Sequence, residues 1–318
     1  MDSKKFIYID NLKAIGIILV VIGHIFPRQN IDVIYLFHMP LFFMLSGFLY
    51  KPQDISSYVL KKAKRIILPY LLFLISIFII NALINITIYN SSLHDVFKGF
   101  SKMIYGGEKL KGDFGAFWFA TTLFFTLIIF NWIIVNIKAS YAVTLLAIFY
   151  ISAYIVQFVS PEFRMPLGLN ICLYTIPLIW IGWNLSKNIL LFKATSILGL
   201  IFMIAYVFEP TMFGKVDLKT ASYGVPFIST TIAVFFFYTL IEISKKIPTC
   251  KVITYIGRAS LIIMFTHQWF HFQYEKIGIS NPLTLSVMSL ASSLLIHFIF
   301  GKYELSRKYL LGENIISR

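Results

Sequence analysis

The sequence predicts an all-α membrane protein, a polytopic bundle of about ten transmembrane helices. Hydrophobic residues make up 58% of the 318 positions and charged residues 13%, whereas a typical soluble domain has about 25% charged residues. Apolar runs long enough to cross a bilayer recur along the chain, and the mean hydropathy is +0.79. These observations exclude a soluble enzyme and predict a single transmembrane domain over residues 1–318, with no appended soluble domain.

The predicted spans follow one another with loops that alternate between the two sides of the membrane. They lie near residues 8–27, 31–50, 66–88, 116–136, 141–159, 171–186, 190–208, 222–243, 255–274 and 283–301.

The first span, YIDNLKAIGIILVVIGHIFP, contains three ionisable residues, Asp10, Lys13 and His24. Asp10 and Lys13 are neighbours at i, i+3, and His24 follows Lys13 after three helical turns plus about 20°. The three therefore share one stripe of the helix, with about 16 Å of rise between the lysine and the histidine. Ionisable groups within a span usually mark a functional site. The alternative is an interfacial Asp10–Lys13 ion pair, with His24 at the opposite interface.

The second span, IDVIYLFHMPLFFMLSGFLY, contains Pro40, which predicts a kink in the helix. Ser46 and Gly47 predict close packing of another helix against this span. His38 comes just before the predicted kink, about 10 Å from the outer end of the helix. His24 approaches the same depth from the first span.

The ninth span, GRASLIIMFTHQWFHFQY, carries His267 about 15 Å along the helix from Gly257. Three histidines thus reach a similar depth from the first, second and ninth spans. His267 and His271 have the i, i+4 spacing of metal ligands, but no acidic or cysteine ligand stands near them, so no metal is expected. A proton relay in a transporter and a general base or acyl-carrying nucleophile both remain open.

Basic residues are distributed unevenly between the two predicted sides. Of the 28 lysines and arginines, nine lie in outer segments with eight acids, and 19 lie inside or near the inner ends with six acids. Because cytoplasmic loops carry excess lysine and arginine, both termini are predicted to be cytoplasmic. This topology also explains the net charge of +14 without nucleic acid as a partner. Cys172 and Cys250 lie at different sides or depths, so no disulfide is predicted.

Three loops carry further charge. The inner loops KPQDISSYVLKKAKR, residues 51–65, and SKKIPTCKVITYIGR, residues 244–258, are either topology signals that contact lipid headgroups or an anion site for a phosphorylated cytosolic cofactor. The longest outer loop, residues 89–115, contains YGGEKLKGDFG and is either a lid on the acceptor side or an ordinary connection.

Several of these motifs resemble one family. DNLKAIGIILVVIGH together with FHMPLFFMLSGFL resembles the amino-terminal signature of the acyltransferase family 3 membrane proteins, which include bacterial O-acetyltransferases of surface polysaccharides and the fucose 4-O-acetylase group. The resemblance extends over essentially the whole chain. Further matches are Arg65 and Pro69 in RIILP, the pair Trp118 and Phe119, and the late motif YIGRASLIIMFTHQ through Tyr255, Gly257, Ser260 and His267.

This resemblance implies the transfer of an acyl group, usually acetyl, from cytosolic acyl-coenzyme A to a carbohydrate. The acceptor would lie at or beyond the outer face or be lipid-linked. His24 matches the proposed catalytic histidine of the family, with Asp10 and Lys13 as its expected companions. Many members have arginine where Lys13 stands, and lysine keeps the charge but loses the bidentate fork.

The two substrates are expected to contact different residues. Arg65 matches the arginine thought to contact the coenzyme, and Lys13, Lys61 and Lys62 complete the expected donor site for acetyl-coenzyme A. The residues expected to orient the catalytic histidine or hold the acceptor are His38, Ser46, Trp118 and His267.

The expected setting is the bacterial inner membrane, with membrane lipids, acyl-coenzyme A and a carbohydrate acceptor as partners. A polysaccharide or lipid-linked sugar transporter, or an export component, is the alternative. Such a protein would use the same spans and histidines without a donor site. Transporters often have broken helices at matching positions of two halves, but Pro40 and Pro69 have no matching late pair, which disfavours transport.

Overall fold

The computed structural model describes residues 3–87, 93–248 and 250–312, and it confirms the all-α membrane prediction. Within these ranges eight helices are long and apolar enough to cross a membrane. Residues 89–92 of the predicted outer loop and Thr249 of the second inner loop lie outside the described residues.

The α-helices are α1 (Ser3–Ile25), α2 (Asp32–Tyr35), α3 (His38–Phe48), α4 (Ile55–Lys62), α5 (Leu68–Thr87), α6 (Leu93–Tyr105), α7 (Trp118–Asn136), α8 (Ala139–Val159), α9 (Cys172–Leu185), α10 (Ile189–Phe208), α11 (Ile228–Lys246), α12 (Lys251–Arg258), α13 (Ser260–Lys276), α14 (Pro282–Gly301) and α15 (Glu304–Tyr309). A two-stranded antiparallel hairpin consists of β1 (Val216–Asp217) and β2 (Ser222–Tyr223). The short 3₁₀ segments are Arg28–Asn30, Gly107–Lys109, Gly112–Phe114, Pro166–Ile171, Pro210–Phe213 and Leu218–Thr220.

Two of the ten predicted spans are shorter than the other eight. The second corresponds to the apolar stretch Asp32–Phe48, which is divided between α2 and α3. The ninth corresponds to α12 and the 17-residue α13, which are separate helices. Each predicted span therefore contains helix, but two of them are not continuous. The eighth, predicted to begin at residue 222, begins as helix only at Ile228, because Ser222–Tyr223 forms β2.

The interruption predicted for Pro40 is present as a break between two helices one turn before the proline, beside the carbonyl of Leu36, to which Pro40 cannot donate a hydrogen bond. Helix α2 ends at Tyr35 and α3 begins at His38, with Leu36 and Phe37 between them. Pro40 is consequently the third residue of α3. Proline is tolerated in the first turn of a helix because the amides there have no intrahelical partner.

The segment before α5 is a π-helical turn, Ala63–Ile67, which contains Arg65. Pro69, the second residue of α5, would in a regular helix clash with the carbonyl of Arg65 four residues earlier. The wider π turn relieves this conflict. Gly312, with φ +64°, packs its backbone against the same region, since a Cβ placed on it would lie 2.9 Å from the Arg65 carbonyl oxygen.

Residue contacts divide the chain into two compact units. The first unit comprises Met1–Ile55, Phe125–Phe163 and Asn170–Ser260, and the second comprises Ser56–Phe124, Arg164–Leu169 and Leu261–Arg318.

In the first unit, α3 and α9 pack backbone to backbone. A Cβ on Gly47 would lie 2.0 Å from the carbonyl oxygen of Ile179, and a Cβ on Gly182 would lie 2.0 Å from that of Met44. Such distances leave room for glycine alone. The close helix packing predicted at Gly47 is confirmed.

In the second unit, aromatic side chains join α5, α13 and the residues just before α7. The ring centroids of Phe117 and Phe265 are 4.9 Å apart, and Phe73 stacks on Phe265 at 5.6 Å. Tyr70 packs against Phe117 at 5.8 Å. This cluster fixes the start of α7 against the two other helices.

Candidate functional site

His24 lies in the last turn of α1, and its Nδ1 is 2.8 Å from the carbonyl oxygen of Val20. A carbonyl oxygen can only accept a hydrogen bond, so Nδ1 carries the proton and Nε2 carries the lone pair. The side chain is half-buried. This tautomer leaves Nε2 as the basic and nucleophilic atom of the ring.

His38 and His267 make the same contact with their own helices. The Nδ1 of His38 donates to Ile34 at 2.7 Å, and that of His267 donates to Ile263 at 2.6 Å. Both side chains are buried. All three predicted intramembrane histidines therefore present Nε2 as their basic atom.

The structure brings His24 and His38 to the same end of α1. A Cβ on Gly23, the residue before His24, would lie 4.0 Å from Nε2 of His38. Tyr35 donates its hydroxyl to the carbonyl of Gly23 at 2.7 Å, and its ring meets that of His38 edge-on at 5.0 Å. His267 belongs to the second unit, so its predicted depth beside His24 stays a prediction.

Arg28 ties the β-hairpin to this end of α1. Its guanidinium lies 3.9 Å from the centre of the Tyr35 ring and bonds Asp217 at 3.0 Å and the Val216 carbonyl at 2.7 Å. Asp32 accepts a third bond from Arg28 at 3.0 Å. Sequence reasoning treated Arg28 only as an outer charge, because its partner Asp217 is 189 residues away.

At the opposite end of α1, Asp10 bonds two cations. Its Oδ1 lies 3.3 Å from Nζ of Lys13, and its Oδ2 lies 3.1 Å from Nε of Arg258. The carboxylate side chain is 12% exposed, whereas those of Lys13 and Arg258 are 33% and 66% exposed. Two cations thus pair with one carboxylate. The excess positive charge of this group lies on Lys13 and Arg258, the more exposed side chains.

Arg258 was absent from the predicted site residues, although it stands in the motif YIGR beside Gly257. Gly257 lets α12 approach α1, because a Cβ there would lie 1.9 Å from the carbonyl oxygen of Asp10. Asn11 adds a hydrogen bond to the carbonyl of Ser244 at 3.3 Å. The first and the late motif of the sequence therefore meet in the first unit.

Arg65 lies in the second unit and has an unsatisfied donor. Its Nε is buried and makes no hydrogen bond within the part of the chain that the structure describes. Lys61 and Lys62, one turn earlier, are half-buried, and Nζ of Lys62 lies 5.1 Å from the centre of the Tyr58 ring. An arginine donor that is buried without a partner is costly, and a bound anion would satisfy it.

Ser46 and Trp118, the remaining predicted acceptor residues, make local contacts. Ser46 donates its hydroxyl to the Phe42 carbonyl at 2.8 Å. Trp118 is buried at the start of α7, where its ring packs edge-on against Phe119. Contact of either side chain with a substrate stays a prediction.

Among the described residues no group of three or more histidines, cysteines or acids is arranged to hold a metal ion.

Of the comparisons with known proteins, one identifies a family. No curated protein and no solved structure matches the chain. A family model described as an acyltransferase domain matches residues 6–302, a region that contains Asp10, Lys13 and His24 of α1, the π turn and the late motif. The chain therefore belongs to acyltransferase family 3.

Proposed function

We propose that this membrane acyltransferase moves an acyl group, most simply acetyl, from cytosolic acyl-coenzyme A to a hydroxyl of a cell-surface or lipid-linked carbohydrate. The observation that carries the proposal is the tautomer of His24. A hydrogen bond to Val20 holds its Nε2 as the basic atom, within the apolar part of α1 that follows Lys13.

His24 can act in two ways. As a general base, Nε2 takes the proton of the acceptor hydroxyl while the oxygen attacks the thioester carbonyl. A carbon–oxygen bond forms, the carbon–sulfur bond breaks, and the proton passes from Nε2 to the leaving thiolate. As a nucleophile, Nε2 first takes the acyl group with release of the thiolate. The acceptor hydroxyl then attacks the acyl-imidazole, so that a carbon–oxygen bond forms, the carbon–nitrogen bond to Nε2 breaks, and the hydroxyl proton passes through the freed Nε2 to the thiolate.

Two groups of cations suit the binding of the phosphates of the donor. In the first unit, Lys13 and Arg258 keep partly exposed positive charges on either side of Asp10. In the second unit, the buried Nε of Arg65 lacks a partner among the described residues. Charged hydrogen bonds to phosphate suit both arrangements, and arginine supplies the bidentate fork.

Asp10 and Lys13 act on the reaction through the donor. They are separated from His24 by about 16–21 Å of helix rise, too far for either to share its proton. Asp10 positions Lys13 and Arg258, to which it bonds directly. His38 and His267, with the same tautomer as His24, are proposed to hold the acceptor.

The proposed setting is the bacterial inner membrane with both termini in the cytoplasm, supported by the uneven distribution of basic residues. In this orientation Lys13, Asp10 and Arg258 lie at the cytosolic end of the first unit, where the donor is available.

The test is transfer of radiolabelled acetyl from acetyl-coenzyme A to candidate glycans, with the purified protein in proteoliposomes. The wild-type protein should label a glycan. His24→Ala should lose transfer to near background while it still binds the donor. Glycan uptake by the wild-type protein without any acetylation would contradict the proposal and favour a transporter.

A further inference from the structure

A partly buried polar cluster in the second unit takes no part in the chemistry described so far. Asn81 of α5 lies at its centre. The amide nitrogen of Asn81 donates to Oδ2 of Asp113 at 2.7 Å, and its amide oxygen accepts a bond from the indole Nε1 of Trp269 at 2.9 Å. One amide therefore joins α5, α13 and the 3₁₀ segment before α7.

Two side chains of α13 bring unsatisfied polar atoms to this cluster. Gln268 is 7% exposed, and its Oε1 accepts no hydrogen bond among the described residues. His271, one turn further on, is 5% exposed. Its Nε2 lies 3.1 Å from a carboxylate oxygen of Glu275, yet neither ring nitrogen is aligned for a hydrogen bond within the described chain.

These atoms are close to Asp113 in space. A Cβ on Gly115 would lie 2.6 Å from Oε1 of Gln268, so the Gln268 amide rests on the backbone two residues after Asp113. His271 and Lys276 are near enough to interact electrostatically with the Asp113 carboxylate. Asn81 is the one side chain that donates to Asp113 among the described residues, so the carboxylate can accept more bonds.

Buried polar atoms are nearly always hydrogen-bonded, so several unsatisfied ones in one place indicate a ligand or ordered water. A carboxylate, an amide oxygen and an imidazole can accept from or donate to hydroxyl groups. Trp269 is half-exposed and offers an apolar ring beside them. The negative charge of Asp113 disfavours a phosphate. An uncharged ligand with several hydroxyls fits this combination.

We propose that Asp113, Gln268 and His271 form a binding site for an uncharged saccharide. The site is the acceptor site of the acyltransferase, an assignment that rests on the function proposed above. Asn81 positions the carboxylate, and Trp269 packs against the C–H face of the sugar ring.

The test measures saccharide binding directly, with no acyl donor present. The full-length protein in detergent is titrated with neutral oligosaccharides, and binding is followed by tryptophan fluorescence and by retention of a radiolabelled glycan. Asp113→Asn keeps the shape of the side chain and removes its charge. Gln268→Leu removes the unsatisfied amide. Asn136→Leu makes the same change at an exposed amide of the first unit and is the matched control.

Asp113→Asn and Gln268→Leu should each weaken binding about tenfold or more, because the first removes the charge that strengthens hydrogen bonds from hydroxyl groups and the second removes a buried amide. Asn136→Leu should bind as the wild type does. If Gln268→Leu does not fold, His271→Asn tests the same face of α13.

Folded variants that bind the saccharide as tightly as the wild type would overturn the acceptor site. A wild-type protein that binds no saccharide would overturn it as well. Acetyl transfer is measured separately. If the enzyme is active but Asp113→Asn binds the saccharide as the wild type does, this site is refuted and the proposed function still holds. Saccharide binding that the variants lose, in a protein without transferase activity, supports the site and contradicts the proposed function.

Discussion

At the scale of single residues, the chemistry of α1 depends on a contact between a side chain and its own helix. His24, His38 and His267 each donate Nδ1–H to the carbonyl four residues earlier. This contact needs only helical geometry, so it forms wherever histidine lies in a helix with the appropriate rotamer. What distinguishes His24 from the two buried histidines is its partial exposure.

The first residue-scale prediction concerns His24→Gln. Glutamine keeps polarity and a similar size but cannot take up and return a proton. Acetyl transfer should fall by a factor of about 10²–10⁴, the usual contribution of a general base, while donor binding is unchanged. His297→Gln in α14 makes the same change outside the proposed site and should keep full activity. Near-normal turnover by a stable His24→Gln protein would leave His38 or His267 as the base.

The second residue-scale prediction concerns Arg258. Arg258→Ala should raise the KM for acetyl-coenzyme A about tenfold with little change in kcat, since it removes one charged hydrogen bond to the donor. Lys138→Ala, which removes another exposed positive charge of the first unit, is the matched control. A fall in kcat at an unchanged KM would show that Arg258 acts on the chemical step.

How much of this site could be predicted depends on sequence separation. The pairing of Asp10 with Lys13 follows from i, i+3 spacing and could be predicted from the sequence. Arg258 is 248 residues from Asp10, and no local rule relates the two. The tertiary contact between α1 and α12 brings them together. The bond between Arg28 and Asp217 could not be predicted for the same reason.

At the scale of elements, the π turn relates the direction of Arg65 to Pro69, which follows it by four residues in the motif RIILP. Pro69 removes the hydrogen bond that the carbonyl of Arg65 would accept in a regular helix. The turn therefore widens at Ala63–Ile67, and the extra residue rotates the preceding side chains by about 100° around the helix axis. The direction of the Arg65 side chain thus depends on the proline.

This dependence predicts the effect of Pro69→Ala. The π turn should close into a regular α-helix and turn Arg65 away from its present direction. Donor affinity should fall about as far as in Arg65→Ala, roughly ten- to a hundred-fold, with the unfolding temperature unchanged or higher. Arg65→Lys should bind the donor more tightly than Arg65→Ala but less tightly than the wild type, because lysine keeps the positive charge but lacks the bidentate fork of arginine. Unaltered donor binding by Pro69→Ala would show that the turn does not orient Arg65.

Proline also accounts for the break within the second predicted span. A proline within an apolar run can kink a helix or occupy its first turn, and the pattern around Pro40 does not distinguish the two. The structure has the second arrangement, with the break at Leu36 and Phe37. The glycine of the same span was predictable, because close approach of two helices requires a residue without a side chain.

At the scale of the whole molecule, composition was sufficient for the fold class, since apolar runs of this length have few alternatives to membrane helices. The division into two units was not predictable. One boundary falls within α7, between Phe124 and Phe125, where no glycine, proline or charged residue interrupts the helix. Such a boundary depends on contacts between distant segments, which hydropathy does not record.

The orientation in the membrane can be tested with a thiol that the protein already has. Cys250 precedes α12, in a loop predicted to be cytoplasmic. Hydrogen bonds from the backbone amides of Ile253 and Val252 lower the pKa of its thiol, which favours the reactive thiolate. Cys172 is buried and should stay unlabelled. A membrane-impermeant maleimide should therefore label the wild-type protein at Cys250 in inside-out vesicles and leave it unlabelled in intact cells.

A second thiol on the opposite side completes this last prediction. Lys111 is exposed in the predicted outer loop, so Lys111→Cys in a Cys250→Ser background should be labelled in intact cells. Gln53→Cys in the same background should behave as Cys250 does. Its backbone bonds to Asn131 do not involve the side chain and should survive the change. Labelling of positions 53 and 111 from the same side would contradict the topology. Labelling of position 53 from the outside would also place Lys13 and Arg258 away from the cytosolic donor, so the proposed donor site would fail with it.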